Sequence, residues 1–147
     1  MATIRDLLKN KGNQVWAISP NTSVLETLQM MAEKDVGALL VLEGDQIAGI
    51  ISERDFVRSI AETERCVLNT TVLEYMTKKV ITVSPDQGID ECMQLMTKEH
   101  IRHLPVMEGG KLVGVISIGD VVKELISYKE STINTLQNYI EGRGYGN

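Results

Sequence analysis

The chain has 147 residues, 43% apolar and 24% charged, with a formal net charge of −5. That is enough for one compact domain or two small ones sharing a core, and the acidic balance argues against general nucleic-acid binding, where phosphate neutralisation needs a surplus of Lys and Arg. No apolar run approaches the roughly 20 residues of a membrane span, so no membrane partner is expected.

The opening segment "MATIRDLLKNKG" is amphipathic but has no signal-peptide core, and a cytoplasmic location is expected. Thr3-Ile4-Arg5-Asp6 reads as a short lead-in. A β-rich run follows at Val15-Trp16-Ala17-Ile18, then Ser19-Pro20 punctuates the chain. Ser23 and Glu26 form a capping-box pattern, and Val24, Leu28, Met31 and Ala32 continue at helical spacing. Ala38–Leu42 and Ile47–Ile51 flank Glu-Gly-Asp and read as a hairpin. Ser52-Glu53-Arg54-Asp55 then opens a second helix bearing Phe56, Val57 and Ile60. In the following stretch Thr71-Val72-Leu73-Glu74 repeats the capping-box pattern, predicting a short helix in the linker.

From Val80 the same order begins again. Val15–Arg58 aligns without a gap to Val80–Lys123, with roughly a third of positions identical, an internal repeat. Val80-Ile81-Thr82-Val83 is the second β-rich run; Ile89, Met93 and Met96 carry the helical stripe; Leu104–Met107 and Leu112–Ile116 form the second hairpin around Glu-Gly-Gly. The methionines read as core packing between layers, not as a sulfur site. Ser117 to Asp120 opens the last helix, which continues through Leu125, Ile126, Ile133, Leu136 and Ile140 and is expected to end before Gly142, ahead of a flexible "GRGYGN" tail. Each unit is therefore β-α-β-β-α. A single unit cannot bury both faces of its sheet, so the two are expected to pack on each other.

Ser52-x-x-Asp55 and Ser117-x-x-Asp120 are the strongest local signals. Each reads as a capping box. A helix start after a strand is also suited to anions, because its free N–H groups and dipole favour phosphate. There a Ser hydroxyl adds a donor, and an Asp carboxylate accepts from the two hydroxyls of a ribose. Basic residues are spread unequally: Arg102-His103 precede the buried run Leu104-Pro105-Val106, where the first unit has Gly37-Ala38, while Arg54 stands where the second has Gly119. Lys11 is a further basic candidate. Arg is the better phosphate holder because of its bidentate fork, so two sites of different phosphate affinity are expected.

Signals for catalysis are weak. The chain has no Gly-x-Ser-x-Gly elbow, no GxxxxGK[ST] loop and no GxGxxG after a strand. Cys66 and Cys92 show no CxxC spacing and no histidine at ligand spacing, so no metal is expected and both read as free thiols in a reducing compartment. The expectation is a non-enzyme with no catalytic residue and no catalytic cofactor.

The repeated unit, with "RHLPV", "GVISIGD" and "GIISERD", resembles the cystathionine-β-synthase (CBS) domain family, in which two units form a Bateman module, and the longer pattern is similar to stand-alone bacterial CBS-pair proteins. The resemblance implies an α/β fold of the α+β kind: two CBS repeats in pseudo-two-fold symmetry, with residues 11–60 and 76–127 as the domains. Residues 61–75 would be the linker and 128–147 the C-terminal extension. It also implies a regulatory sensor that binds an adenosyl ligand such as AMP, ADP, ATP, NAD or S-adenosylmethionine in clefts between the repeats. Asp55 and Asp120 would hold ribose hydroxyls, with Ser52 and Ser117 near ribose or phosphate. Val15, Trp16, Val36, Gly37, Ala38 and Ile50 would surround one adenosyl group. Met76, Val80, Ile81, Ile101, Arg102, His103, Leu104, Pro105 and Val115 would surround the other. Two modules pair in that family, so a homodimer is expected, with an unidentified regulated protein as a further partner. The alternative is a structural dimerisation module with vestigial ligand sites and the terminal helix as its docking surface.

Overall fold

The computed structural model describes residues 2–140. In chain order the elements are α1 (Ile4–Lys11), β1 (Ala17–Ile18), α2 (Val24–Lys34), β2 (Ala38–Glu43), β3 (Gln46–Ser52), α3 (Glu53–Thr63), a 3-10 turn (Val72–Glu74), α4 (Ile89–Glu99), β4 (His103–Glu108), β5 (Lys111–Ser117) and α5 (Ile118–Ile140). The chain divides into two compact units. One is Gln14–Ile81; the other joins the chain up to Asn13 with the chain from Thr82 onward. Each repeat is thus completed by the segment ahead of the other one. The mixed helix and strand content is that of the expected α+β class.

In the Gln14–Ile81 unit, β1 runs parallel to β2 and β2 antiparallel to β3. The Gly44 φ of +64° supplies the positive φ that a two-residue hairpin turn needs. Val24, Met31, Leu39, Val41, Ile51, Phe56 and Val72 form the core. Ser23 caps α2 by accepting from the Glu26 N–H at 3.1 Å, the half of the capping box that satisfies an orphan donor. Asp35 closes the helix in the left-handed region at φ 53°. Of the three apolar residues expected on α3, Phe56 is buried, while Val57 and Ile60 are exposed.

The short helix expected in the linker is present at Val72–Glu74, but as a single 3-10 turn and without the Thr71 side-chain cap that its pattern suggests. A backbone bridge fixes the segment instead: Thr71 pairs with Ser23, and the Val72 N–H donates to Thr22 O at 2.8 Å. Three residues cannot pass the nucleation cost of an α-helix, so tertiary pairing decides the conformation.

The second unit repeats the hairpin with the same irregularity, a register shift after Val106 matching the one after Val41. Its lead-in is a full helix. Thr3 and Asp6 form a reciprocal capping box on α1, Thr3 bridges Gly88, and Ile4 and Leu7 are buried. Arg5 is held by Asp86 at 3.1 Å and by Glu108, and these acceptors raise its already high pKa. On α4, Ile89, Cys92 and Met96 face the core, and Met93 is half-buried.

The expected strand at Val80–Val83 is corrected: only Val83 pairs, as an isolated parallel bridge to Val106. Proline supplies the reason. In the first unit the Leu40 N–H donates to Trp16 O at 3.3 Å. The residue aligned with Leu40 is Pro105, which has no N–H to donate to a neighbouring strand. The single terminal helix expected after Ser117 is present as α5. Its expected end before Gly142 and the tail lie outside the described residues.

Candidate functional site

Each unit presents the carboxylate of its Ser-x-x-Asp motif on the first turn of the helix that follows its hairpin. In the Gln14–Ile81 unit, Ser52 ends β3 and caps α3. Asp55 Oδ2 accepts from the Ser52 N–H at 2.8 Å and from the Ser52 hydroxyl at 3.1 Å, while Ser52 Oγ accepts from the Asp55 N–H at 3.3 Å. In the other unit, Asp120 Oδ2 accepts from the Ser117 N–H at 2.8 Å, and Ser117 Oγ accepts from the Asp120 N–H at 3.1 Å. The capping-box reading thus holds at both helix starts.

The two carboxylates differ in their third partner. Thr77 Oγ1 donates to Asp55 Oδ1 at 3.1 Å, and Thr77 exchanges backbone hydrogen bonds with Ile50 at 2.8 and 2.9 Å. In the second unit Lys11 takes this place: its Nζ donates to Asp120 Oδ2 and to Val115 O, both at 2.6 Å. Partial burial pushes the Asp120 carboxyl up, but the Lys11 ammonium and the Ser117 N–H outweigh it and hold its pKa below the usual carboxylate range.

Close approach of these partners depends on two glycines. A Cβ on Gly49 would stand 2.7 Å from Thr77 O and 2.9 Å from Met76 Sδ, and one on Gly114 would stand 2.8 Å from Leu8 Cδ2. Met76 therefore packs against the hairpin of its own unit, as Leu8 does in the other.

Beside each helix start lies the beginning of the paired strand. Ala38 pairs with Ser52, and Gly37 O accepts the Glu53 N–H at 3.0 Å. His103 pairs with Ser117, and Arg102 O accepts the Ile118 N–H at 2.8 Å. The structure thus groups Gly37, Ala38, Ile50, Ser52, Asp55, Met76 and Thr77 in one unit, and Lys11, Arg102, His103, Val115, Ser117 and Asp120 in the other. Arg54 is exposed on the first turn of α3.

The remaining predicted residues are placed differently. Trp16 is half-buried against the first core, with the Lys34 ammonium 4.4 Å from its ring centre. Val36 packs on the same core. Val15 is half-buried ahead of β1, and Val80 and Ile81 are half-buried outside any strand. Ile101 leads into β4, its N–H on Met96 O at 3.0 Å. Leu104 and Pro105 are buried within β4. Thr77 was not found by sequence reasoning. It follows an isolated turn, and nothing in its spacing distinguishes it from Lys78 or Lys79.

No helix among the described residues is long and apolar enough to cross a membrane. Among the same residues, no group of three or more His, Cys, Asp or Glu could hold a metal ion. Cys66 is exposed and Cys92 buried, both as free thiols.

Twin hairpins, each ending in a Ser-x-x-Asp helix start and each completed by the other's lead-in, define a tandem-repeat module. This chain belongs to the CBS domain family, whose model matches residues 4–62 and 72–127. It is 39% identical over 153 residues to the mitochondrial CBS domain-containing protein CBSX3 of Arabidopsis thaliana, covering 97% of this chain and 73% of that protein. A putative signal-transduction protein with CBS domains from Burkholderia ambifaria has a solved structure of the same fold. It matches with a TM-score of 0.81 and 48% identity over 86% of this chain and 95% of its own. CBSX2, solved in complex with AMP, shares the fold at a TM-score of 0.71 and 22% identity, covering 86% of this chain and 98% of that one.

Proposed function

We propose that this chain is a regulatory module that binds an adenosyl nucleotide, with Asp55 and Asp120 as the ribose-recognising groups of two unequal sites. The observation that carries the reading is the repeated placement of a carboxylate on the first turn of a helix directly beside the start of the paired strand. A carboxylate so placed can accept from both hydroxyls of a cis-diol, and the adjoining helix start favours the negative phosphate. CBSX2 holds AMP on the same fold, which supports an adenosyl ligand as the class. AMP, ADP, ATP and NAD all fit that chemistry.

Lys11 meets the Asp120 carboxylate and Arg102 leads into the strand paired beside it, while Arg54 lies on the first turn of α3, so the two sites are expected to favour different phosphate numbers. The Asp120 site is the stronger for a phosphorylated ligand. The role is binding rather than turnover, in the cytoplasm, where both thiols stay reduced, with occupancy passed to a homodimeric partner copy and to a regulated protein. A second reading, a dimerisation module with vestigial sites, is favoured by the Lys11–Asp120 contact, because a carboxylate already neutralised by the chain has less need of a ligand.

Titration calorimetry with AMP, ADP, ATP and NAD separates the two readings. Saturable heat with at least one of them, absent with inosine monophosphate, is the expected result. No heat with any, together with unchanged thermal stability, would overturn the nucleotide reading in favour of the second.

A further inference from the structure

We infer that Thr77 is a specificity-determining residue: its hydroxyl limits Asp55 to a single sugar hydroxyl, whereas Asp120 can take both hydroxyls of a cis-diol. The inference rests on the nucleotide reading and adds which sugars each site accepts. A ligand lacking the hydroxyl that Asp55 does not read is tolerated at that site and penalised at the Asp120 site.

The lone pairs left on each carboxylate carry the argument. An ionised carboxylate offers about four acceptor positions, shared equally between its oxygens. Asp55 Oδ2 takes the Ser52 N–H at 2.8 Å and the Ser52 hydroxyl at 3.1 Å, and Oδ1 takes the Thr77 hydroxyl at 3.1 Å. A single position, on Oδ1, is left for a ligand. Asp120 Oδ2 takes the Ser117 N–H at 2.8 Å and the Lys11 ammonium at 2.6 Å, and among the described residues none donates to Oδ1. The whole of Oδ1 is left there. Both carboxylates are half-buried, so a ligand can reach either.

Thr77 is held where it makes this difference. Its backbone exchanges hydrogen bonds with Ile50 at 2.8 and 2.9 Å, and only the missing Cβ of Gly49 lets Thr77 O come so near the hairpin. A hydroxyl bonded to an ionised acceptor is held more strongly than one bonded to a neutral sugar hydroxyl, so an arriving diol leaves it in place. Thr77 is also exposed, and backbone pairing already fixes its segment. Its hydroxyl therefore acts on what Asp55 can accept more than on folding. Lys11 has the opposite effect at Asp120. Its ammonium shares one oxygen with the Ser117 N–H and compensates the charge without using the other.

Titration calorimetry on the full chain with AMP, 2′-deoxy-AMP and 3′-deoxy-AMP tests the assignment. In Asp120→Ala any sugar preference comes from Asp55. One of the two deoxy analogues is expected to bind about 10-fold more weakly than AMP, the scale of one hydrogen bond to a charged group, and the other as well as AMP. Adding Thr77→Val frees the second position, and both analogues are then expected to bind more weakly than AMP. Thr77→Ser, which keeps the hydroxyl, is expected to retain the single preference. An Asp120→Ala chain that penalises both analogues or neither overturns the inference, and so does a Thr77→Val pattern identical to that of its parent. Those results leave the nucleotide reading standing, whereas no heat with AMP in wild type overturns both.

Discussion

The Lys11 ammonium stands 2.6 Å from Asp120 Oδ2, and Lys11 reaches it from a helix that precedes the whole first repeat. The equivalent carboxylate of the other unit, Asp55, is met by the neutral Thr77 hydroxyl. One repeat thus carries a charged brace and the other an uncharged one, on otherwise matching capping boxes. This asymmetry is expected to make the two halves respond differently to pH and to mutation.

Acid should weaken the second unit through Asp120. Its folded pKa is depressed, so its contribution to stability is fully present above the unfolded value of about 3.9 and is lost as pH falls through the folded value. Asp120→Asn removes that contribution while keeping an acceptor for the Ser117 N–H. Urea midpoints of wild type and Asp120→Asn are expected to differ at about pH 6 and to converge below about pH 3. A constant difference across that window would contradict the brace.

The glycines should not be equivalent. A Cβ at Gly49 meets a backbone carbonyl, Thr77 O, whereas one at Gly114 meets the flexible end of Leu8. Gly49→Ala is expected to cost about 1–3 kcal/mol, as overpacking does when the neighbour cannot move. Gly114→Ala should cost less, because the Leu8 rotamer can yield. Denaturant midpoints of the two variants check the order.

Thiol chemistry should distinguish the two cysteines. Burial pushes the Cys92 thiol up to about 11, with Glu91 and Asp90 adding to the effect, and Cys66 is exposed. Since the thiolate is the nucleophile, one thiol equivalent is expected to react with an aromatic disulfide reagent at about pH 8 in native protein, and two after denaturation. Cys66→Ser should abolish the native reaction. Rapid reaction of Cys92 would mean that α4 does not pack as described.

Much of this architecture is written locally in the sequence. The hairpins follow from short apolar runs around Glu-Gly, and the helix starts from Ser-x-x-Asp, because both depend on residues within a few positions of each other. The braces were not legible. Lys11 lies on the last turn of an α-helix and Thr77 on an extended stretch after a 3-10 turn. The two lead-ins therefore deliver their side chains from different backbone conformations, and no common spacing marks them. Thr71 marked a short helix correctly but not its type: the bridge to Ser23 holds it as a 3-10 turn without a side-chain cap. The missing strand pairing was readable in principle from Pro105, which has no N–H to donate to a neighbouring strand. Ile126, Ile133, Leu136 and Ile140 of α5 are exposed although their spacing is that of a buried stripe, so burial on that helix could not be read from spacing alone.

The most direct test of ribose recognition compares AMP with 2′-deoxy-AMP by titration calorimetry, on wild type, Asp55→Ala and Asp120→Ala. Wild type is expected to favour AMP by about 10-fold, the scale of one hydrogen bond to a charged group. Asp120→Ala should erase that preference at the tighter site while Asp55→Ala leaves it intact. An undiminished preference for AMP in both variants, or equal affinity for the two nucleotides in wild type, would contradict the assignment of these carboxylates as the groups that hold the sugar.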